Sequence, residues 1–334
     1  MLSRFFRRRP QLEFPQFDPD PALNDLQLRQ ARDGALAGDW QAAARAIEDA
    51  GTNGELRCRR ISVLSEAAVK EDAWLYKWLA EHPHDAAAVT IQAAMLSERA
   101  GNERGGASAA QTSDAQFRAF ADLSAAAAEV SRRAMSLAGP SDPAPWVEFM
   151  GTMFGDRQAR RSFAATYEEG RRRDPYNFEL HLTAVGLLCQ KWGGSHERMF
   201  DAARGAAAAA PPGANAVMLP FLAHFEYALR EFGWDQWDRE TLIARHQYLE
   251  RPDVRQELDS WAAKWRAGQH TVGREMTCRH WLALYYTATG RHREAKVVFD
   301  EIGVYLGSPT AWGYFYGVSA RGFVAGWKVA NDAG

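Results

Sequence analysis

The chain of 334 residues is 46% hydrophobic, so it is long enough and apolar enough to bury a substantial core and is not a disordered protein. Its formal net charge of −2 excludes the strong positive field of a general nucleic-acid binder, and we expect no nucleic-acid partner. The three cysteines are odd in number and far apart along the chain, which argues against a disulfide framework and favours reduced, buried thiols.

Residues 1–21 are predicted to form an extended arm. Four prolines interrupt this segment, and proline both fixes φ and lacks a backbone donor. An arginine-rich cluster at residues 4–9 suits a contact with anionic lipid or an acidic partner, and it equally suits a solvated tail. The arm lacks the apolar run of a secretory signal, and no later stretch reaches the ~20 apolar residues of a membrane span. We therefore expect a cytoplasmic protein without a transmembrane segment.

Residues 22–213 have the periodicity of packed helices. Apolar residues recur at steps of three or four, as in Leu36, Trp40 and Ala43. A stretch rich in Gly, Ser and Ala at 101–114 predicts a long loop within this region. Farther along, two glycines precede Ser195, which predicts a break between helices followed by a serine cap.

Residues 214–334 are dense in aromatic side chains, and we expect this region to be continuous with the preceding stack of helices. No segment of the sequence offers a persuasive period-two strand with hairpin turns, and no glycine-rich turn joins a strand to a helix. The sequence therefore predicts an all-α fold.

One pattern of small and apolar residues occurs twice, once near each end of the chain. A small residue stands five places after a glycine, a large apolar residue nine places after it and another apolar residue twelve places after it. This spacing is typical of the turn and second helix of a helical hairpin. The two copies consist of Gly38, Ala43, Ile47 and Ala50, and of Gly290, Ala295, Phe299 and Ile302.

These copies resemble the tetratricopeptide repeat, in which a small residue ends the first helix and an alanine lets the second helix pack closely. Trp40 matches an aromatic position of that repeat, where the second copy has His292. His82-Pro83 and Asp174-Pro175 are similar to the closing proline of the repeat. No regular 34-residue period runs through the middle of the sequence. The resemblance therefore implies an irregular stack of antiparallel helical hairpins, a tetratricopeptide-like α-solenoid.

The segment Trp192-Gly193-Gly194-Ser195 is similar to a WGGS element of an uncharacterised bacterial family of helical-repeat proteins. That resemblance implies a helical-repeat fold and no particular activity. The alanine- and arginine-rich composition is compatible with a bacterial source of high GC content, which says nothing about function.

A stack of helical hairpins presents an extended concave surface, so we expect a non-enzymatic interaction or scaffold protein that binds a protein or peptide partner. Aromatic side chains are preferred anchors of such surfaces. Trp192 and Trp237 are the candidates for the groove, and Trp312 and Trp327 are the candidates in the carboxyl-terminal segment.

The carboxyl-terminal segment also carries two pairs of glycines with four-residue spacing. On a helix, each pair would allow another element to approach the backbone closely. Two interpretations follow, which are packing of the last helix on the stack and a homodimer or partner contact. The glycines are Gly313, Gly317, Gly322 and Gly326.

The alternative function is an enzyme or small-molecule-binding protein that uses an interhelical pocket in residues 214–334. The catalytic candidates are His224, Glu226 and His280, and His246 is a further polar candidate. Histidine suits proton transfer near neutral pH. The same histidines would also suit hydrogen-bonded positions in a helical core, and no reaction type follows from them.

The most metal-like grouping is formed by Glu275, Cys278 and His280. On a helix Cys278 and His280 are two places apart and point away from each other, so we predict no metal site. Phosphate-binding loops and the glycine fingerprint of dinucleotide folds do not occur in the sequence, and we predict no cofactor. Cys58 and Cys278 have basic sequence neighbours, but sequence adjacency does not establish the lowered pKa of a reactive thiol.

Overall fold

Residues 15–107, 109–234 and 236–332 are described by the structure, which is a computed structural model. Within these ranges the chain folds into α-helices and forms no β-strand, which confirms the all-α prediction. None of the helices in the described ranges is both long enough and apolar enough to cross a membrane. In chain order the helices are α1 (Leu26–Leu36), α2 (Trp40–Glu48), α3 (Gly54–Lys70), α4 (Ala73–Glu81), α5 (Ala86–Arg104), α6 (Asp114–Leu137), α7 (Ala144–Thr152), α8 (Arg157–Arg160), α9 (Phe163–Arg173), α10 (Phe178–Leu188), α11 (His196–Ala209), α12 (Leu219–Glu231), α13 (Arg239–Glu250), α14 (Pro252–Arg266), α15 (Glu275–Ala288), α16 (His292–Ile302), α17 (Thr310–Tyr316) and α18 (Ser319–Asp332).

The helix break before α11 forms as predicted. The Ser195 side chain accepts a hydrogen bond from the backbone N–H of Arg198 at 3.2 Å, which satisfies one of the free donors at the start of the helix. Gly193 has φ +83°, a conformation that favours glycine. A Cβ on Gly194 would collide with the carbonyl oxygen of Leu188, so the turn requires glycine at this position as well.

The loop predicted at 101–114 is shorter in the structure and spans residues 105–113. Gly101 lies inside α5, which ends at Arg104 and is followed by Gly105 with φ +71°. Ser113 then caps α6 with a capping box. The predicted start of the loop was wrong because a single glycine is tolerated inside a helix, whereas a glycine with positive φ ends one.

The two copies of the glycine–alanine pattern lie at contacts between consecutive helices. α1 packs on α2 and α15 packs on α16. Gly38 and Gly290 have φ +95° and +68° in the turns between these helices. Ala43 and Ala295 are fully buried, so a larger side chain at either position would overpack the core around these helix pairs.

Buried apolar side chains form two clusters that meet at α10. The amino-terminal core is built from the chain up to α10 and includes Leu180 and Ala184. The carboxyl-terminal core is built from α10 and the helices after it and includes Phe178 and Val185. α10 therefore buries side chains in both cores and joins them.

The described part of the predicted arm crosses to the carboxyl-terminal helices. The Asp18 carbonyl oxygen accepts the N–H of Leu306 at 2.9 Å. The Phe17 ring meets the Phe323 ring edge-on, with 5.2 Å between the ring centroids. The arginine cluster of the arm lies outside the described residues. Residues 15–21 thus connect the two ends of the chain in space.

A second contact between the ends lies at the start of α3. The carboxyl group of Glu55 is 3% exposed and accepts hydrogen bonds from the Asn215 amide and from the Arg274 N–H, the latter at 3.1 Å. Beside it, the Asn53 amide donates to the Val272 carbonyl oxygen at 3.0 Å. These hydrogen bonds join α3 to the segment that precedes α15.

Candidate functional site

A cavity of about 520 Å³ lies where the two cores meet. This volume falls in the range of ~300–1,000 Å³ that is typical of small-molecule sites. Its wall is built by side chains from both ends of the chain. The helices that contribute are α3, α10, α11, α12, α15 and α17, together with residues from the segments before α1, between α7 and α8, between α10 and α11, before α15 and between α16 and α17.

Aromatic side chains form much of the cavity wall. Phe178 on α10 and Trp281 on α15 contact each other, with 5.5 Å between their ring centroids. Trp192 packs against Phe154 at 4.9 Å, and the Arg104 guanidinium lies 5.2 Å from the Trp192 ring. Rings held in this way offer a flat apolar surface to a ligand at little entropic cost, because they are already immobilised.

Lys191 and Glu226 both line the cavity and form an ion pair, with 2.8 Å between their charged atoms. Burial alone would lower the pKa of Lys191, but the nearby Tyr314 phenol and the Glu226 carboxylate outweigh it, and the pKa is raised. Lys191 is therefore a fixed positive charge at neutral pH. The pair also satisfies Glu226, which is 6% exposed.

Two arginines face the cavity from α3 and from the start of α15. One Arg59 nitrogen donates to the Pro21 carbonyl oxygen, and the Arg274 Nε donates to the Glu179 carboxylate. The remaining guanidinium nitrogens of both residues make no hydrogen bond to another described residue. Burial lowers the pKa of Arg59 to about 10, and the like charge of Arg274 adds to this effect. The cavity thus contains guanidinium N–H groups that can donate hydrogen bonds to a ligand.

His280 lines the same cavity and is 3% exposed. Its Nε2 lies 3.1 Å from the Tyr305 carbonyl oxygen, which can only accept, so the proton sits on Nε2. Nδ1 is then an acceptor without a partner among the described residues. Burial lowers the pKa of His280 to about 4, so the ring is neutral at physiological pH.

The structure brings together two of the four polar candidates. Glu226 and His280 both line the cavity, whereas His224 and His246 do not. His224 lies 2.7 Å from the Tyr248 hydroxyl and 3.3 Å from a Glu257 oxygen, which is a hydrogen-bonded position within the core. His246 packs beside the rings of α17, and burial lowers its pKa to about 4.

The four tryptophan candidates lie in different environments. Trp192 lines the cavity. Trp312 is fully buried and offers no surface to a partner, and Trp327 packs edge-on against Phe17. Trp237 is 48% exposed, although its Nε1 donates to the Gly313 carbonyl oxygen at 3.1 Å. The four side chains do not share one surface.

The spaced glycines of the carboxyl-terminal segment face this chain's own side chains. A Cβ on Gly322 would lie 2.5 Å from the Tyr316 ring, and one on Gly326 would lie 2.8 Å from the Trp312 ring. The other two glycines likewise meet Ser319 and Trp237. Gly317 ends α17 with φ +73° beside Trp237, whereas the other three glycines lie where α17 and α18 pack together. Contacts within the chain therefore occupy all four positions, and the homodimer stays a prediction.

The metal-like grouping is dispersed into separate contacts. Glu275 accepts the N–H of Gly273 at 2.7 Å, and Cys278 donates to the Asn215 carbonyl oxygen at 3.8 Å. Among the described residues, no group of three or more potential ligands is arranged to hold a metal ion.

All three cysteines are buried and unpaired, as predicted. Burial raises the pKa of Cys189 to about 11 and raises the pKa of Cys58 and Cys278 well above the usual range. A thiolate is therefore disfavoured at each position, and these residues serve as small apolar side chains.

The sequence interpretation missed the cavity residues Arg59, Lys191 and Arg274. They belong to three elements that are distant in sequence, so no spacing rule links them. The only local signal was Lys191 beside the helix break at Trp192. The chain matches no protein-family model, and no curated protein or solved structure was found to be similar to it.

Proposed function

We propose that this protein binds a small-molecule ligand in the cavity between its two cores. The cavity itself is the observation that carries the proposal, because aromatic walls and a few converging polar groups are the usual composition of a ligand site. Both ends of the chain contribute to the wall, so the site is complete only in the folded whole. If a reaction takes place there, Glu226 and His280 are its acid–base candidates, and we assign no reaction type.

We further propose that the helices form an irregular stack of antiparallel hairpins, similar to tetratricopeptide repeats, whose two ends are joined by residues 15–21. The packing of α1 on α2 and of α15 on α16 across glycine turns supports this arrangement. In such a stack the cavity would be the remnant of the concave surface.

Filling the cavity tests the proposed site. Thr183 is half-buried on α10 and lines the cavity, so Thr183→Trp should occupy space that a ligand needs. A small-molecule library is screened by thermal shift, and ligands that raise the Tm of the wild-type protein should lose that effect in Thr183→Trp. The matched control is Thr52→Trp at an exposed turn, which should respond like the wild type. Ligands that stabilise both variants equally would place the binding site elsewhere.

The second candidate function is the binding of a protein or peptide partner, and it is compatible with ligand binding in the cavity. The observation in its favour is Trp237, an exposed aromatic side chain that lies against Gly317 next to the exposed Val318. Sedimentation over a range of protein concentrations tests the case in which the partner is a second copy. A monomer at every concentration would contradict the homodimer.

A further inference from the structure

We infer that the ligand of this cavity is an amphipathic anion, whose anionic oxygen group binds between Arg59 and Arg274 and whose apolar part lies against Phe178 and Trp281. This inference rests on the proposed function, since it specifies the chemical class of ligand for the same cavity. It goes beyond that function because a cavity of this size would also suit a neutral or a cationic molecule.

Backbone contact brings the two arginines together. A Cβ built on Gly273 would lie 3.0 Å from the backbone nitrogen of Leu56, so the chain before α15 touches α3 directly. Arg59 follows Leu56 by about one helical turn, and Arg274 follows Gly273 immediately. A second cavity of about 240 Å³ is lined by Arg59 together with Gly273 and Glu275, which flank Arg274.

Each arginine is followed one turn later by a hydroxyl group on the same helix face. Ser62 follows Arg59 on α3, and Thr277 follows Arg274 on α15, and all four residues line the cavity. Neither hydroxyl makes a side-chain hydrogen bond to another described residue. Two guanidinium groups and two hydroxyls therefore form a set of donors that a carboxylate or phosphate can accept from.

The charges around the cavity favour this position for the anion. The Lys191 charge is neutralised by Glu226 and the Arg274 charge is partly neutralised by Glu179, whereas Arg59 has no carboxylate within ion-pair distance among the described residues. The remaining acid in the wall is Glu66, two turns beyond Arg59 on α3. The Glu66 carboxylate would repel an anion at its end of the cavity. We therefore place the anionic group at the end that contains Arg59 and Arg274.

The rest of the wall favours a ligand with an apolar body over a bare inorganic ion. Beyond the arginines the cavity is lined by Leu182, Val185 and Leu222 as well as by Phe178 and Trp281. An ion alone would leave this apolar surface in contact with water, whereas a ligand with an apolar body would cover it.

The test compares three probes that share one apolar chain, namely octanoate, octyl phosphate and 1-octanol. Each is titrated into the full-length protein, and binding is followed by calorimetry and by tryptophan fluorescence, to which Trp281 contributes. We expect at least one of the two anions to bind at least ~10-fold more tightly than the alcohol, because charge-assisted hydrogen bonds to guanidinium are strong. The tighter of the two anions identifies the headgroup as carboxylate or phosphate.

Substitution of the arginines assigns the effect to this end of the cavity. Arg59→Gln should weaken binding of the tighter anion by about 10-fold or more and leave 1-octanol unchanged. Arg59→Lys keeps the charge but loses the planar donor fork, so its loss should be smaller. The control is Arg172→Gln on the exposed face of α9, where the guanidinium pairs with Glu169. Circular dichroism confirms that each variant is folded.

Equal affinity for the alcohol and both anions would overturn the inference and leave the cavity as a binding site for neutral ligands. Anion binding that is unchanged in both Arg59 variants would also overturn it. Failure of all three probes to bind would overturn it as well, and the Thr183→Trp comparison would then decide separately whether the cavity binds any ligand.

Discussion

At the scale of single residues, the Glu55 carboxyl is a buried polar group at the contact between the two ends of the chain. It is 3% exposed and hydrogen-bonded to Asn215 and to the Arg274 backbone. Burial is the largest influence and raises the pKa of Glu55 to about 8, with a further contribution from the nearby Glu179 carboxylate. The neutral acid is thus the form that the folded state prefers over the physiological range.

Glu55 should make stability fall as pH rises. Its folded-state pKa lies above the ordinary value of 4.5 that it has in the unfolded chain, so its stabilising contribution is complete below pH ~4.5 and is lost as pH rises through about 8. Glu55→Gln keeps an acceptor oxygen and removes the ionisation. We expect the free energy of unfolding of this variant, relative to that of the wild type, to increase from pH 5 to pH 9 by an amount on the order of 1–3 kcal/mol.

Urea denaturation at pH 5, 7 and 9 measures this difference in the free energy of unfolding. The control is Glu129→Gln, since the Glu129 side chain is 81% exposed on α6. Parallel pH profiles for wild type and Glu55→Gln would contradict the raised pKa, because they would show that Glu55 is equally protonated in the folded and unfolded states over this range.

At the scale of helices, close contacts at small residues hold the carboxyl-terminal pair together. α18 places Gly322 and Gly326 one turn apart, facing Tyr316 and Trp312 of α17. Trp312 is fully buried and also packs near Phe299 of α16, with 5.9 Å between ring centroids. The ring has little room to move, so the glycine spacing matters for packing as well as for backbone freedom.

Two glycine-to-alanine variants should have opposite effects on stability. In Gly326→Ala the new Cβ would lie 2.8 Å from the Trp312 ring, and we expect a loss of about 1–3 kcal/mol from overpacking. In Gly205→Ala, on the exposed face of α11, the Cβ meets nothing within 4 Å. The better helix propensity of alanine should then add up to ~1 kcal/mol. Chemical denaturation measures both, and a Gly326→Ala protein as stable as wild type would contradict the packing argument.

At the scale of the whole molecule, contacts between distant segments build the wall of the cavity. Residues 15–21 reach the carboxyl-terminal helices, and α3 is fastened to the chain before α15. α10 lies between the two cores and belongs to both. The cavity wall therefore depends on the joining of the two ends of the chain.

Truncating Phe17 should loosen this closure. Phe17→Ala removes the edge-on contacts with Phe323 and Trp327, and we expect a loss of about 1–3 kcal/mol for a half-buried ring. Hydrogen exchange at Leu306, whose N–H donates to Asp18, should become faster. Phe117→Ala, at a 37% exposed position on α6, is the matched control. Unchanged protection of Leu306 would show that the segment is held without Phe17.

The parts of the fold that the sequence predicted are those with local causes. Helical periodicity indicated the all-α class, and the cap at Ser195 and the glycine before it indicated a helix break, because these signals act within one or two turns. The limits of the 101–114 loop were less predictable, since Gly101 and Gly105 look alike in sequence and differ only in the φ that packing imposes.

The composition of the candidate site could not be predicted in this way, because it depends on contacts between residues that are distant in sequence. Glu226 and His280 could be named from residue type, but their meeting at one cavity depends on how α12 and α15, which are distant in sequence, are placed in the fold. His224, on another face of α12, pairs with Glu257 of α14 instead. The presence of Arg59 and Arg274 in one cavity wall likewise depends on the contact between α3 and Gly273, which no spacing rule encodes. Local chemistry specifies which segments become helices and which side chains can react or bind. A cavity exists only where distant helices meet, because its shape and charge belong to the space between them.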